Sequence, residues 1–322
     1  MLLLTLTSLM KLHKLLKYFF LIFFLVNANI KLYSQEIRGL YINKFYKIIT
    51  NKEKTDELLE YAKKHNFNYL LLYSTRTIDK QIFSLKDSLA SLPLANFIYR
   101  AKNKYGIKQI GAIREGFDGF INLLAYNNIY KNNPLKKIDV FNLEFEFWNK
   151  TLIKKSYCKD ELRPLYFGCS RRIAFKYYIY NLKKLYKLCQ QNNLICETYI
   201  GHPTKSQSKK LINYCDRILV HYYRPTDVFD DGTSIYNYIK KRLYYLSAKR
   251  NIKVIPIFSA TQQSMFKWLL KNSLDKPYNT YMNGDNGFNY EKKHLKKRVS
   301  IMGYQWFTYS DLLKIDSIKK SN

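Results

Sequence analysis

No CxxC pair occurs in the chain, and its five cysteines and five histidines form no cluster at metal-ligand spacing, so neither a structural metal nor a metal cofactor is expected. No GxSxG elbow is present, which leaves no specific Ser-His-Asp triad. No glycine-rich phosphate loop follows the first strand-like run, which argues against a doubly wound open sheet, and no cofactor is expected. Acids are scarce, 24 against 55 Lys plus Arg, for a formal net charge of +31. Such a field draws anions: nucleic acid, acidic headgroups or anionic envelope polymers. Yet basic pairs such as Lys63-Lys64, Lys183-Lys184 and Lys292-Lys293 are spread along the chain and read as solvated helix faces. No zinc-finger, helix-turn-helix or RNA-binding signature accompanies them, so no nucleic-acid partner is expected.

Long apolar runs are also missing, with one exception near the start. Residues 10–17 are basic, 18–26 are apolar and 27–34 are polar. This is the layout of a secretory signal peptide and resembles the Bacteroidetes type, with cleavage expected before Gln35. The run falls short of the ~20 residues a membrane span needs; an uncleaved anchor is the alternative. No cysteine lies nearby to accept a lipid. Residues 1–34 are therefore read as a signal peptide and 35–322 as one domain, secreted or periplasmic, without a transmembrane span in the mature chain. Losing Lys11, Lys14, Lys17 and Lys31 takes the charge from +31 to +27.

What is abundant is Tyr and Phe, 30 and 20 residues. Aromatics in excess of core needs line sugar- or base-binding clefts, and AT-rich codon usage gives the same composition. Short β-branched and aromatic runs alternate with helical patterns. Strands are expected at 37–43, 69–73, 108–113, 139–147, 194–200, 217–223, 252–258 and 299–307. Helices are expected at 53–65, 94–105, 118–130, 172–191, 206–214, 233–249, 261–271 and 310–319, with a polar loop at 272–290. Eight β/α units predict an α/β fold, a single (β/α)8 barrel of TIM type, over a doubly wound open sheet. Cys158 and Cys169 flank the long loop after the fourth strand and form the best candidate disulfide.

The fourth strand breaks ordinary patterning. Asn142, Glu144 and Glu146 stand two apart, with Leu143, Phe145 and Phe147 between them, so the polar set shares one face. Acids on the inner face of a strand are costly unless solvated, paired or functional. In a barrel they would stand near the C-terminal mouth, where function collects. Polar and aromatic residues gather at the same ends, among them Tyr41, Tyr73, Trp148, Tyr199, His202, Tyr222, Tyr223 and Trp306. Arg114 and Glu115 read as a local pair, and a salt-bridge network is the bland alternative for the two glutamates.

The spacing Asp139-x-x-Asn142-x-Glu144-x-Glu146 resembles the DxxDxDxE signature of glycoside hydrolase family 18, the chitinase and endo-β-N-acetylglucosaminidase family. Val220-His221-Tyr222 stands where that family has Met-x-Tyr, and Gly303-Tyr304-Gln305-Trp306 where it has the tryptophan under the sugar. The resemblance implies Glu146 as general acid and Glu144 as the group that orients the substrate's N-acetyl arm, the substrate-assisted exception to the two-carboxylate scheme. It implies Tyr222 on the acetamide and Trp306 beneath the ring, with Asn142, Tyr223, Trp148 and Tyr41 as further substrate contacts. His221 is then expected to pack away from the site. Asn142 for Asp, Glu144 for Asp and Val140 for Gly depart from the pattern, and a shift of about 1 Å can cost ~100-fold in rate. The implied partner is an N-acetylhexosamine glycan or an anionic envelope polymer. The competing readings are a non-catalytic glycan-binding or envelope-scaffold protein, and a partner-binding subunit of a surface assembly.

Overall fold

The computed structural model describes residues 36–223, 235–248, 251–284 and 286–321; the signal-peptide reading over 1–34 lies outside them. Among the described residues nine strands are present: β1 Ile37–Ile42, β2 Tyr69–Leu72, β3 Gln109–Arg114, β4 Val140–Leu143, β5 Ile195–Ile200, β6 Arg217–His221, β7 Ile252–Ser259, β8 Val299–Ile301 and β9 Gly303–Phe307. Strands β1 to β6 pair in parallel with their sequence neighbours. β7 pairs with β6 and β9, and β9 pairs with β1, so eight strands close into a ring. The fold is a (β/α)8 barrel of TIM type, and closure rules out the open sheet.

Strands buried on both faces read as near-continuous apolar runs. Their two faces feed two cores. One comprises Ile37, Tyr41, Tyr69, Leu71, Ile113, Val140, Tyr199, Leu219, Ile255 and Ile257; it is drawn from strands alone and fills the ring. The other joins the alternate strand residues, such as Leu40, Leu70, Phe141 and Leu143, to the helices outside. Helix ends follow sequence signals. Asn51 accepts from Lys54 N–H ahead of helix Lys52–Lys64, and Ser170 from Ile173 N–H ahead of helix Arg171–Gln191. Thr204 and Gln207 form a capping box on helix Lys205–Leu211.

Two departures and one expected disulfide bear on the site. The strand expected at 299–307 divides at Met302: β8 pairs with β7 alone, and β9 closes the barrel. Gly303 makes the break, at φ +120, where an added Cβ would lie 2.0 Å from the Ile37 carbonyl oxygen. The polar stretch at 272–290 holds a further helix, Lys276–Asn283, with Pro277 in its first turn, where a missing N–H costs nothing. The loop after β4 is strapped by the Cys158–Cys169 disulfide, with Cα atoms 5.3 Å apart, while Cys189, Cys196 and Cys215 are free and buried. Among the described residues, no helix is long and apolar enough to cross a membrane.

Candidate active site at the barrel mouth

β4 ends at Leu143, short of the strand expected at 139–147, so Glu144 and Glu146 stand on the irregular segment that follows it. Val140 points into the ring, while Phe141 and Leu143 point out to the helices. Past Leu143 the chain stays beside β3 through Glu144 N–H to the Arg114 carbonyl at 3.0 Å. Phe145 then stacks on Tyr157 at 4.2 Å between ring centroids, and Phe147 packs on Phe175 and Tyr178 at 5.0 and 4.8 Å. Burying each phenylalanine stabilises by about 2–3 kcal/mol. These two outward anchors hold Glu144 and Glu146 inward.

The Tyr41 hydroxyl donates to Glu144 Oε2 at 3.1 Å, and Asn149 Nδ2 donates to Glu146 Oε2 at 2.8 Å. Asn149 is itself fixed, because its Oδ1 accepts from the N–H groups of Thr151 and Leu152. Rings line the space around the acids. Tyr41 meets Tyr73 at 5.6 Å and Phe307 at 4.8 Å; Phe307 stacks on Tyr223 at 5.2 Å. Tyr223 meets His221 at 4.0 Å, His221 meets Tyr199 at 6.2 Å, and Tyr199 meets Trp148 at 5.6 Å.

Burial, then the charge of Glu146, pushes Glu144 up to about 8 against the pull of the Tyr41 hydrogen bond. Burial also raises Glu146, opposed by Asn149. Glu115, at the end of β3, is raised by burial and by Glu161, and lowered by Arg76. His221 is pushed down to about 3 by burial, Arg242 and His202, so its ring is neutral. The mouth therefore pairs one carboxyl that is protonated near neutrality with a second, less perturbed one, in a bowl of aromatic faces. Such a pair can move a proton to a bound oxygen and shield the reaction from bulk water.

Several expected site residues stand elsewhere. Tyr222 is 1% exposed and points outward, its hydroxyl 3.2 Å from that of Tyr281 in helix Lys276–Asn283. Trp306 is fully buried on the outer face, its indole N–H donating to the Leu274 carbonyl at 3.3 Å. Neither can touch a ligand in the mouth as placed. The cause is phase: His221 and Tyr223 are the inward residues of that strand end, and Phe307 is the inward residue beside Trp306. His221 accordingly faces the site, contrary to the expectation that it packs away. Asn142 faces inward but lies wholly buried below Glu144, its Nδ2 donating to Glu197 Oε1 at 2.7 Å. Asp139 is tied at the other strand end by Lys102 Nζ and Ile110 N–H, both at 2.8 Å. Arg114 and Glu115 do not pair; Arg76 lies 3.9 Å from Glu115 instead. Tyr41, Trp148, Tyr223, Glu144 and Glu146 do meet at the mouth.

Beneath the site lies a polar layer that sequence reasoning missed. Glu197 forms an ion pair with Arg217, its partner across β5 and β6, and accepts from the Tyr69 hydroxyl at 2.7 Å. Arg217 Nη1 donates to Gln109 Oε1 at 2.7 Å. Acid and base at matched positions of neighbouring strands were the available signal. Among the described residues, no group of three or more His, Cys, Asp or Glu is placed to hold a metal ion.

No protein-family model and no curated protein matches the chain. Among solved structures, β-glucuronidase 2 of Bacteroides uniformis aligns at TM-score 0.46 and 11% identity, over 86% of this chain and 31% of that one. The O-GlcNAc hydrolase of Thermobaculum terrenum aligns at 0.43 and 9%, over 90% and 60%. An HpcH/HpaI aldolase of Desulfitobacterium hafniense aligns at 0.43 and 10%, over 89% and 92%. The chain thus spans less than two thirds of the first two. At such distances the likeness says nothing of chemistry, and barrels serve hydrolases and aldolases alike.

Proposed function

We propose that the barrel mouth binds an N-acetylhexosamine-containing glycan and hydrolyses it with the Glu144/Glu146 pair. The observation that carries this reading is the pair itself: two inward carboxyls, both raised, ringed by Tyr41, Tyr73, Trp148, Tyr199, Tyr223 and Phe307. Sugars present C–H faces to aromatic rings and hydroxyls to carboxylates, and both are here. Burial raises both carboxyls, and Glu144, pushed up to about 8, holds its proton at neutral pH. Glu144 passes that proton to Glu146, which gives it to the glycosidic oxygen as its bond to the anomeric carbon breaks. The N-acetyl oxygen bonds that carbon, with the N–H facing the Glu144 carboxylate. Water then attacks the carbon, frees the N-acetyl oxygen and returns one proton to Glu146. An N-terminal signal peptide and an anionic envelope polymer as the natural source of glycan belong to the same reading.

A non-catalytic glycan-binding protein is the second reading, and Asn142 favours it. That residue is spent on Glu197 inside the barrel, and Tyr222 and Trp306 are turned away from the mouth. The two readings separate on one assay. The protein is incubated with chitin-, peptidoglycan- and N-glycan-derived oligosaccharides, with Glu146→Gln alongside. The enzyme reading expects cleavage that falls by at least about 100-fold in the variant. Binding without cleavage, unchanged by Glu146→Gln, leaves the second.

A further inference from the structure

We propose that the tip of the disulfide-strapped loop after β4 docks the protein on a bilayer surface that bears anionic lipid headgroups. This stands apart from the glycan reading. The tip is Pro164, Leu165 and Tyr166. Leu165 is 47% exposed and Tyr166 100%. Tyr180 of helix Arg171–Gln191, half exposed, borders the same recess as Pro164 and Leu165.

The turn that carries the tip is tied on both sides. Leu162 is fully buried before it, and Phe167 after it packs on the Tyr177 ring at 5.6 Å between centroids. The Tyr166 N–H donates to the Arg163 carbonyl at 2.9 Å, and the Phe167 N–H to the Leu162 carbonyl at 2.8 Å. The Cys158–Cys169 bond closes the loop around this turn. Tyr166 itself is left-handed, at φ +59, a conformation that bulky side chains rarely hold. No packing is gained in return, because the ring is left wholly in water. A rare backbone state that its surroundings enforce points to function rather than stability. An aliphatic and an aromatic side chain exposed together at a summit point the same way.

Charge names the partner. Residues 154–172 carry six cations, Lys154, Lys155, Lys159, Arg163, Arg171 and Arg172, all exposed, against two acids. One of those acids, Glu161, is taken up by Arg76 at 2.8 Å and the Tyr177 hydroxyl at 2.9 Å. Cations around an apolar point are drawn to anionic headgroups while the point enters the headgroup and acyl boundary. Tyrosine suits that depth, with its ring in the apolar layer and its hydroxyl in the wet one. A polysaccharide chain lies in a groove and has no use for Leu165. A side chain exposed throughout stands on a projection, which fits a plane.

The test is co-sedimentation of the protein with vesicles of phosphatidylcholine alone, and of phosphatidylcholine with about one third phosphatidylglycerol. Wild type should bind the anionic vesicles at least about tenfold tighter than the neutral ones, and Leu165→Ser/Tyr166→Asn should weaken that binding about tenfold. Asparagine tolerates a left-handed backbone, so this double variant should melt with wild type. Emission of Tyr166→Trp should shift to the blue on the anionic vesicles. Undiminished binding by the double variant, or unmoved emission, shows that net charge alone attracts the vesicles and overturns docking by the tip. Absence of vesicle binding overturns it too. If alginate, a soluble polyuronate, is held by wild type and lost by the double variant while vesicles go unbound, the tip serves an acidic polysaccharide and the membrane inference falls.

Discussion

Glu144 is the residue on which the proposed chemistry turns, and its perturbation has a consequence for folding. Its folded value is raised from 4.5 to about 8. A raised carboxyl contributes stability that is fully present below its unfolded value and lost as pH rises through the folded one. Glu144→Gln should therefore flatten the fall in melting temperature between about pH 4.5 and 8, by up to one proton's worth of slope; Glu115, Glu146 and Asp139, also raised by burial, contribute in the same direction. Thermal melts across that range check this, and an unaltered profile would show that Glu144 ionises normally. The alternation Asn142, Glu144, Glu146 was legible because period two is a property of the chain alone. The phase at other strand ends was not. Tyr222 and Tyr223 stand side by side, as do Trp306 and Phe307, and only three-dimensional pairing says which of each points inward. Both times the family motif favoured the residue that faces out.

At the scale of elements, the eighth strand shows what a periodic reading hides. Residues 299–307 scan as one run, but a parallel strand pairing β7 at its start and β1 along its second half must change course. Met302 and Gly303 make that turn. Gly303→Ala should cost about 3 kcal/mol or more, since it adds left-handed strain to a contact with Ile37. Urea denaturation measures it, and a loss under about 1 kcal/mol would mean the strand can shift at no expense. The helix Lys276–Asn283 was equally hidden, in a stretch whose Gly and Asn content reads as loop. Its burial of Tyr278 and Tyr281 against the barrel, not helix propensity, makes it form. The Cys158–Cys169 strap was legible from position: two cysteines in one loop need only a short closure, which contributes about 3 kcal/mol.

For the whole molecule, eight alternating β and α runs were enough to indicate barrel closure, because a parallel strand needs a crossover helix each time. The interior was less accessible to that reading. A Glu197–Arg217 pair within a barrel core depends on register between strands 20 residues apart in sequence, and an isolated strand pattern marks both simply as polar. The net charge of +31 makes the surface attractive to polyanions, while the mouth itself concentrates carboxyls and rings. On the proposed reading, that division, a basic exterior around an acidic aromatic bowl, suits approach to an anionic polymer.

The most direct measurement is the binding isotherm of an N-acetylglucosamine tetrasaccharide to wild type and to Trp148→Ala. Trp148 sits half-buried beside Tyr199 at the rim, where a sugar face would rest. Saturable binding weakened about tenfold in the variant is the predicted result. Absence of binding, or binding indifferent to Trp148→Ala, would contradict the placement of a glycan site at this mouth.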